Sequence, residues 1–178
     1  CFIPRKYKLP LYQWTYIDVK SKFKFIAYSY SLSSDFWLMF ILTIATFLRA
    51  MGIHYHMNFQ ADNWWEFCSG SKQKEENWNQ VLKPLNCSFQ SIPAWKKYLQ
   101  GVVERSHRTD DEELYRPYLE RMKNMNDFIY HASKYIHTYN CYRPSFGIGM
   151  NGLSPLEKLK NSNKGFYNTK VHTQIVYK

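Results

Sequence analysis

The sequence is short of acidic residues. Against 24 lysines and arginines it has 14 aspartates and glutamates, which gives a formal net charge of +10. This excess disfavours a cationic partner and favours a polyanionic one, of which nucleic acid is the commonest. A basic protein with no such partner would have the same composition, so charge alone leaves both interpretations open.

The sequence also lacks closely spaced cysteines. It has four, at Cys1, Cys68, Cys87 and Cys141, and none forms a C-x-x-C pair. A chain of 178 residues can bury roughly 70% of its unfolded surface, so it needs no disulfides to fold. We therefore expect reduced thiols in an intracellular protein, of the cytoplasm or nucleoid of a prokaryote or of the nucleus in a eukaryotic host.

Potential zinc ligands are scattered through the sequence. The potential ligands are His54, His56, Cys68, Cys87, His107 and Cys141. Only His54-x-His56 has the spacing of a metal motif, and alternation along a strand produces that spacing by chance.

Long apolar runs are absent too. The longest, Phe36–Leu48, has 13 residues and is closed by Asp35 and Arg49. A membrane-spanning helix needs about 20 apolar residues, so this run indicates a buried helix and no membrane partner.

The remaining patterns predict an α/β layer domain. Aromatic and β-branched residues indicate strands at Leu11–Val19, Phe23–Tyr30 and His54–Ala61, with a short strand or loop at "SFQSIP". Helical spacing indicates helices over 36–49, 70–86, 99–114 and 117–139. Ser33–Ser34–Asp35 is the expected cap of the first helix, and Ser154 with Glu157 forms the expected capping box of another. We assign residues 1–160 to one domain and 161–178 to a basic tail.

The stretch "FQADNWWEF" places an acid at the end of a predicted strand. In open α/β sheets, ligands collect at the carboxyl ends of strands, where Asp62 would lie. Mg²⁺ prefers such oxygen ligands together with phosphate oxygens of a substrate. An Asp-Asn pair after a strand also commonly makes a turn, so Asp62 by itself does not decide between the two roles.

A second candidate acid is Glu104, in "LQGVVERSHRTDDEELYRPYL". On a helix Glu104 and Arg108 are one turn apart, and a surface ion pair would explain them equally well.

Three motifs together carry a more specific signal. "DNWWEF", "QGVVERSHRTDDEE" and "YNCYRPSFGIGMNGLSPLEKL" occur in this order. The order resembles the integrase catalytic core of insertion-sequence transposases and retroviral-type integrases, over roughly Leu11 to Leu159. The resemblance implies a ribonuclease-H-like fold with a mixed central sheet of about five strands flanked by helices.

The resemblance also implies functional residues. Asp62 and Glu104 match the second and third acids of a D, D, E triad that holds two Mg²⁺ or Mn²⁺ ions. We also expect DNA contacts from the following residues: Trp64, by stacking on a base or a sugar, and Lys96, Lys97, Arg105, Arg108 and Arg143. An internal salt bridge is an equally good explanation of Arg143. The sequence departs from the family at Trp64, where the usual residue is glycine, which implies an altered turn or a site under relaxed selection.

The first acid of the triad has no clear match. Asp18 lies on an early predicted strand, but its context "YIDVKSKFKF" resembles the family's second strand, which carries no metal ligand. The resemblance implies that the first acid lies just upstream of Cys1; the alternative is that Asp18 takes its role.

The expected function is DNA transposition or integration. Such a protein cleaves DNA at an element end and joins the 3′-hydroxyl to target DNA, acting as a homo-oligomer on DNA and on no small-molecule substrate. A core that binds DNA or a partner subunit without chemistry is the rival hypothesis, which Trp64 and the unmatched first acid motivate.

Overall fold

The computed structural model describes residues 5–62, 72–92, 101–162 and 169–177, the last range and residues 62 and 162 without their side chains. Its strands are β1 (Tyr12–Asp18), β2 (Lys24–Ser29), β3 (Met57–Asp62), β4 (Cys87–Ile92) and β5 (Thr169–Tyr177). Its main helices are α1 (Ser34–Ala50), α2 (Lys72–Leu82), α3 (Gly101–Asp110), α4 (Met125–Cys141) and α5 (Pro155–Ser162).

The strands lie in the order β2-β1-β5-β3-β4. β1 and β2 form an antiparallel hairpin, and β3 and β4 form a parallel pair. β5 lies between the two pairs, antiparallel to β1 and parallel to β3. The segment that the sequence analysis assigns to a basic tail therefore supplies a strand inside the sheet.

The prediction that residues 1–160 form a ribonuclease-H-like core with its own mixed sheet of about five strands is wrong. Within the described part of that region the strands form two separate two-stranded ladders, not one mixed sheet of about five strands. The described backbone shows no direct pairing of β1 with β3, because β5, from beyond residue 160, lies between them. The expected number of strands came from the resemblance.

The predicted start of α1 is confirmed. Ser33 is the N-cap, and its side chain accepts a hydrogen bond from the Phe36 backbone N–H at 3.1 Å. At the other end Arg49 donates to the backbone carbonyl oxygens of Leu85, Ile53, Tyr55 and Asn86. The arginine that closes the apolar run in the sequence thus fastens the end of α1 to the segments that lead into β3 and β4.

The capping box before α5 is confirmed as well. Ser154 N and Oγ both donate to Glu157 Oε2 at 2.8 Å, and Glu157 N donates back to Ser154 Oγ at 3.4 Å. These reciprocal bonds satisfy backbone groups that a helix start leaves without intrahelical partners.

The predicted continuous helix over 117–139 is wrong. A short 3₁₀ turn at Leu119–Arg121 interrupts it, and α4 begins only at Met125. Asn124 caps α4 through its Oδ1, which accepts from the Asp127 N–H at 2.9 Å. The apolar periodicity continues across the break because Met122, the residue directly after the turn, is buried in the core.

Aromatic side chains hold α1 and α2 against the sheet. Trp37 of α1 stacks on Trp78 of α2 with ring centroids 4.5 Å apart, and both rings meet Phe89 of β4 edge-on. A second apolar cluster, which includes Leu114, Phe128 and Tyr135, lies beneath α4 on the β1–β2 side. In the described ranges, no helix combines the length and the apolar character that crossing a bilayer requires.

Candidate nucleic-acid interface

Asp62 is the last residue of β3, at the carboxyl end of a parallel strand, as the sequence predicts. Its side chain lies outside the described part of the structure, as do Trp64, Lys96 and Lys97.

Glu104 lies in the first turn of α3 with an exposed side chain. The alternative ion pair between Glu104 and Arg108 does not form. Arg108 Nε instead donates to Glu112 Oε1 at 3.0 Å, one turn further along. Within the described ranges Glu104 has no salt-bridge partner.

Asp18 has a structural role in the β1–β2 turn. Its Oδ2 accepts hydrogen bonds from Ser21 N at 2.7 Å and Ser21 Oγ at 2.5 Å. Across the sheet Asp18 is level with Val171 of β5, which is level with Phe59 of β3. Phe59 precedes Asp62 by three residues, roughly 10 Å along a strand. The structure therefore does not bring Asp18 beside Asp62.

The predicted DNA-contacting arginines fall into two groups. Arg143 makes an internal pair, because its Nε and Nη2 donate to the Glu113 carboxylate at 3.0 and 2.7 Å. Arg105 makes no salt bridge within the described residues and lines an open cleft of about 500 Å³. Arg143 and Lys22 line the same cleft, which is thus basic on several sides.

Beneath the cleft lies a buried ion pair that the sequence analysis missed. Lys24 Nζ and Asp110 Oδ1 are 2.6 Å apart, and both side chains are fully buried. Tyr135 OH donates to Asp110 Oδ1 at 2.6 Å, and Gln13 Nε2 donates to Asp110 Oδ2 at 2.8 Å. The Lys24 ammonium also lies 4.0 Å from the centroid of the Tyr139 ring.

These contacts keep Asp110 ionised. Burial by itself raises the pKa of Asp110. His107, whose Nδ1 lies 3.7 Å from Asp110 Oδ2, the charge and hydrogen bond of Lys24 and the hydrogen bond from Tyr135 outweigh burial and lower the pKa to about 2. Burial and the neighbouring Asp110 carboxylate together raise the pKa of Tyr135 far above its ordinary value. The network therefore joins β1, β2, α3 and α4 through an ionic centre with hydrogen-bonded neighbours.

Asn140 provides a second link between α4 and the sheet. Its Oδ1 accepts from the Lys24 backbone N–H at 2.9 Å, and its Nδ2 donates to the Lys24 carbonyl oxygen at 2.8 Å. The side-chain amide pairs with the outer edge of β2 much as a neighbouring strand would.

A signal for the missed pair is present in the sequence. Val103, Ser106 and Asp110 recur at helical spacing and form the buried face of α3. An acid on the same helix face as a buried valine requires a cationic partner, and Lys24 lies within a predicted strand. Which lysine supplies the charge depends on tertiary packing and cannot be read from the spacing.

The zinc hypothesis gains no support from the described residues, among which no group of three potential ligands is close enough to hold a metal ion. His54 and His56 precede β3 and do not lie within it. The His56 ring is engaged by Asn86 Oδ1 at 3.2 Å and Ser88 Oγ at 2.9 Å. Cys68 lies outside the described residues.

Comparison with known proteins gives a likeness in fold. No protein-family model matches the chain, and no curated protein does. A chain in the cryo-EM structure of the simian T-cell lymphotropic virus intasome in complex with PP2A regulatory subunit B56 gamma has a similar fold, with a TM-score of 0.63 and 17% sequence identity. The likeness covers 86% of this chain and 50% of that chain, so this chain spans about half the length of its solved relative.

Proposed function

We propose that this chain is the core of a DNA strand-transfer enzyme of the transposase and integrase type. The observation that carries the proposal is the likeness in fold to a chain of a retroviral intasome complex, over 86% of this chain. The order of the three sequence motifs, which resembles integrase cores, supports it independently of the fold.

Asp62 and Glu104 are the proposed metal ligands. Asp62 ends a parallel strand, and Glu104 is exposed and without a salt bridge within the described residues. Carboxylate oxygens of this kind suit Mg²⁺ or Mn²⁺. A bound pair of such ions supplies charge stabilisation to the attacking and leaving oxygens of a phosphoryl displacement. In this proposal the chain carries Asp62 at the end of β3 and Glu104 in the first turn of α3.

DNA at element ends and at the target is the proposed partner. The net charge of +10 and the basic cleft beside α3 support it. Binding driven by phosphate contacts weakens steeply as salt rises. A second copy of the chain is also a proposed partner, because α1 exposes Phe36, Met39 and Phe47, which are 46%, 64% and 45% accessible.

The test is a strand-transfer assay with Mn²⁺ and labelled element-end DNA. We expect Glu104→Gln to reduce product to background, because the amide no longer supplies an anionic metal ligand. Glu112→Gln is the matched control, since it removes an acid only two turns away that pairs with Arg108. Undiminished strand transfer by the Glu104 variant would refute the assignment. DNA binding that persists in parent protein with no cleavage under either ion would favour the non-catalytic alternative.

A further inference from the structure

The cleft beside α3 has the size and chemistry of a nucleotide site. Its volume is about 500 Å³, within the range of pockets that bind small organic molecules. Lys22 from the β1–β2 turn and Arg105 from α3 both line it, and the lining residues in the described part of the chain include no Asp or Glu. A cleft with this lining favours an anion.

The two cations lie close enough to repel each other. Burial lowers the pKa of the Lys22 amine, the Asp18 carboxylate opposes that shift, and the positive charge of Arg105 adds to it. The Lys22 amine donates to the Val19 carbonyl oxygen, which holds it beside the cleft. An anion between Lys22 and Arg105 would relieve the repulsion.

A buried hydroxyl supplies an independent indication of a ligand. Ser106 lines the cleft, is only 3% exposed, and has an Oγ without a hydrogen-bond partner among the described residues. A buried polar group with no partner is costly, and an oxygen of a bound phosphate would satisfy it.

An exposed aromatic ring borders the same cleft. Phe146 is 84% accessible and stands on the loop between α4 and α5. The loop is braced by a hydrogen bond from Ser145 N to the Leu153 carbonyl oxygen at 3.2 Å and by Met150, which is fully buried. The ring is therefore presented to solvent from a fixed loop.

We propose that this cleft binds an unpaired nucleotide of a DNA strand, with a phosphate between Lys22 and Arg105 and the base against Phe146. Unpaired bases stack on exposed aromatic rings, whereas bases within a duplex keep their faces covered by their neighbours. An acidic peptide would pair with the two cations, but its acidic side chains have no aromatic face that could stack on Phe146. The choice of DNA as the polymer rests on the proposed function; the preference for an unpaired strand rests on the cleft.

The test is fluorescence anisotropy of a labelled 12-nucleotide single strand with the full 178-residue chain, in EDTA so that strand-transfer chemistry plays no part. We expect Phe146→Ser to weaken binding about fivefold or more with no change in salt dependence, because stacking contributes affinity without releasing counterions. We expect Arg105→Gln and Lys22→Gln each to reduce the slope of log K against log salt by about 0.7.

Matched controls remove the same chemical groups elsewhere on the surface. Arg116→Gln and Lys134→Gln each remove one exposed charge, and Tyr130→Ser removes an exposed ring that is 60% accessible. Each should bind within about twofold of the parent, and thermal melts should show that all variants fold.

Three results would overturn the inference. They are equal affinity for a duplex of the same length, an unchanged affinity in the Phe146 variant, and displacement of the single strand by an acidic peptide at equal concentration. Because the assay contains no divalent ion, these results are independent of whether the chain catalyses strand transfer. If the parent protein binds the single strand but carries out no strand transfer with Mn²⁺, the proposed function alone is refuted.

Discussion

At the scale of single residues, the main feature of the structure is a buried ion pair in which each charge compensates the other. Lys24 and Asp110 are fully buried, and each has hydrogen-bonding neighbours in addition to the other. Removing either partner would leave an uncompensated charge, whereas removing both would leave an apolar core position. The pair therefore predicts strong non-additivity.

The first prediction is a double-mutant cycle on this pair. Lys24→Met and Asp110→Leu should each destabilise the protein by about 3–5 kcal/mol, because each leaves the other charge buried without its partner. The double variant should lose markedly less than the sum of the two. Urea denaturation monitored by tryptophan fluorescence measures the stability of the parent, the two single variants and the double variant. Simple additivity of the two losses would contradict the account.

The second prediction concerns acid. The pKa of Asp110 falls from 3.8 to about 2 in the folded protein, so folding favours its ionised form. Its contribution to the free energy of unfolding is about 2 kcal/mol. This contribution is complete at a pH above the unfolded-state pKa of Asp110 and is lost as the pH falls through the folded-state pKa. Between pH 6 and pH 2 the parent should therefore lose about 2 kcal/mol more stability than Asp110→Asn. Parallel curves for the two proteins would show that Asp110 is not the group responsible.

At the scale of elements, local sequence signals predicted where helices begin better than they predicted how far helices continue. Ser33 and Ser154 cap the helices they were expected to cap, because their contacts involve only residues up to three positions away. The prediction of one continuous helix over 117–139 was wrong, because the apolar spacing persists through a turn. Asn124, a strong capping residue inside the pattern, marks the true start of α4.

β5 is the element that the sequence analysis did not anticipate. The lysine-rich composition after Glu157 indicated a tail, yet Thr169–Tyr177 pairs on both edges, with β1 and with β3. Those partners lie more than a hundred residues earlier in the chain, and such pairing leaves no local pattern to detect.

The third prediction tests this strand. Thr173→Pro should destabilise the protein strongly, because proline removes a backbone N–H from a strand paired on both sides. Gln73→Pro, in the first turn of α2, is the control, since proline is tolerated there. Hydrogen exchange should show faster exchange in β1 and β3 of the Thr173 variant only. Equal protection in the two variants would contradict a central position for β5.

At the scale of the whole molecule, the motifs predicted a likeness that the fold comparison supports in part. The integrase resemblance rested on three motifs, and the chain shares its fold with a chain of an intasome complex. Asp62 and Glu104 lie on separate elements, so their spacing along the sequence could not show whether they meet. Arg143 illustrates the same limit, because its internal pair with Glu113 spans two elements and the motif that contains it fitted both explanations.

The central claim is that Asp62 and Glu104 hold the same divalent ions. The most direct measurement is anomalous diffraction at the manganese edge from crystals of the chain grown with Mn²⁺ and a short DNA end. The account predicts an anomalous peak bonded to both carboxylates that disappears in Glu104→Gln and persists in Glu112→Gln. A peak that contacts neither residue, or one unaffected by the Glu104 substitution, would contradict it.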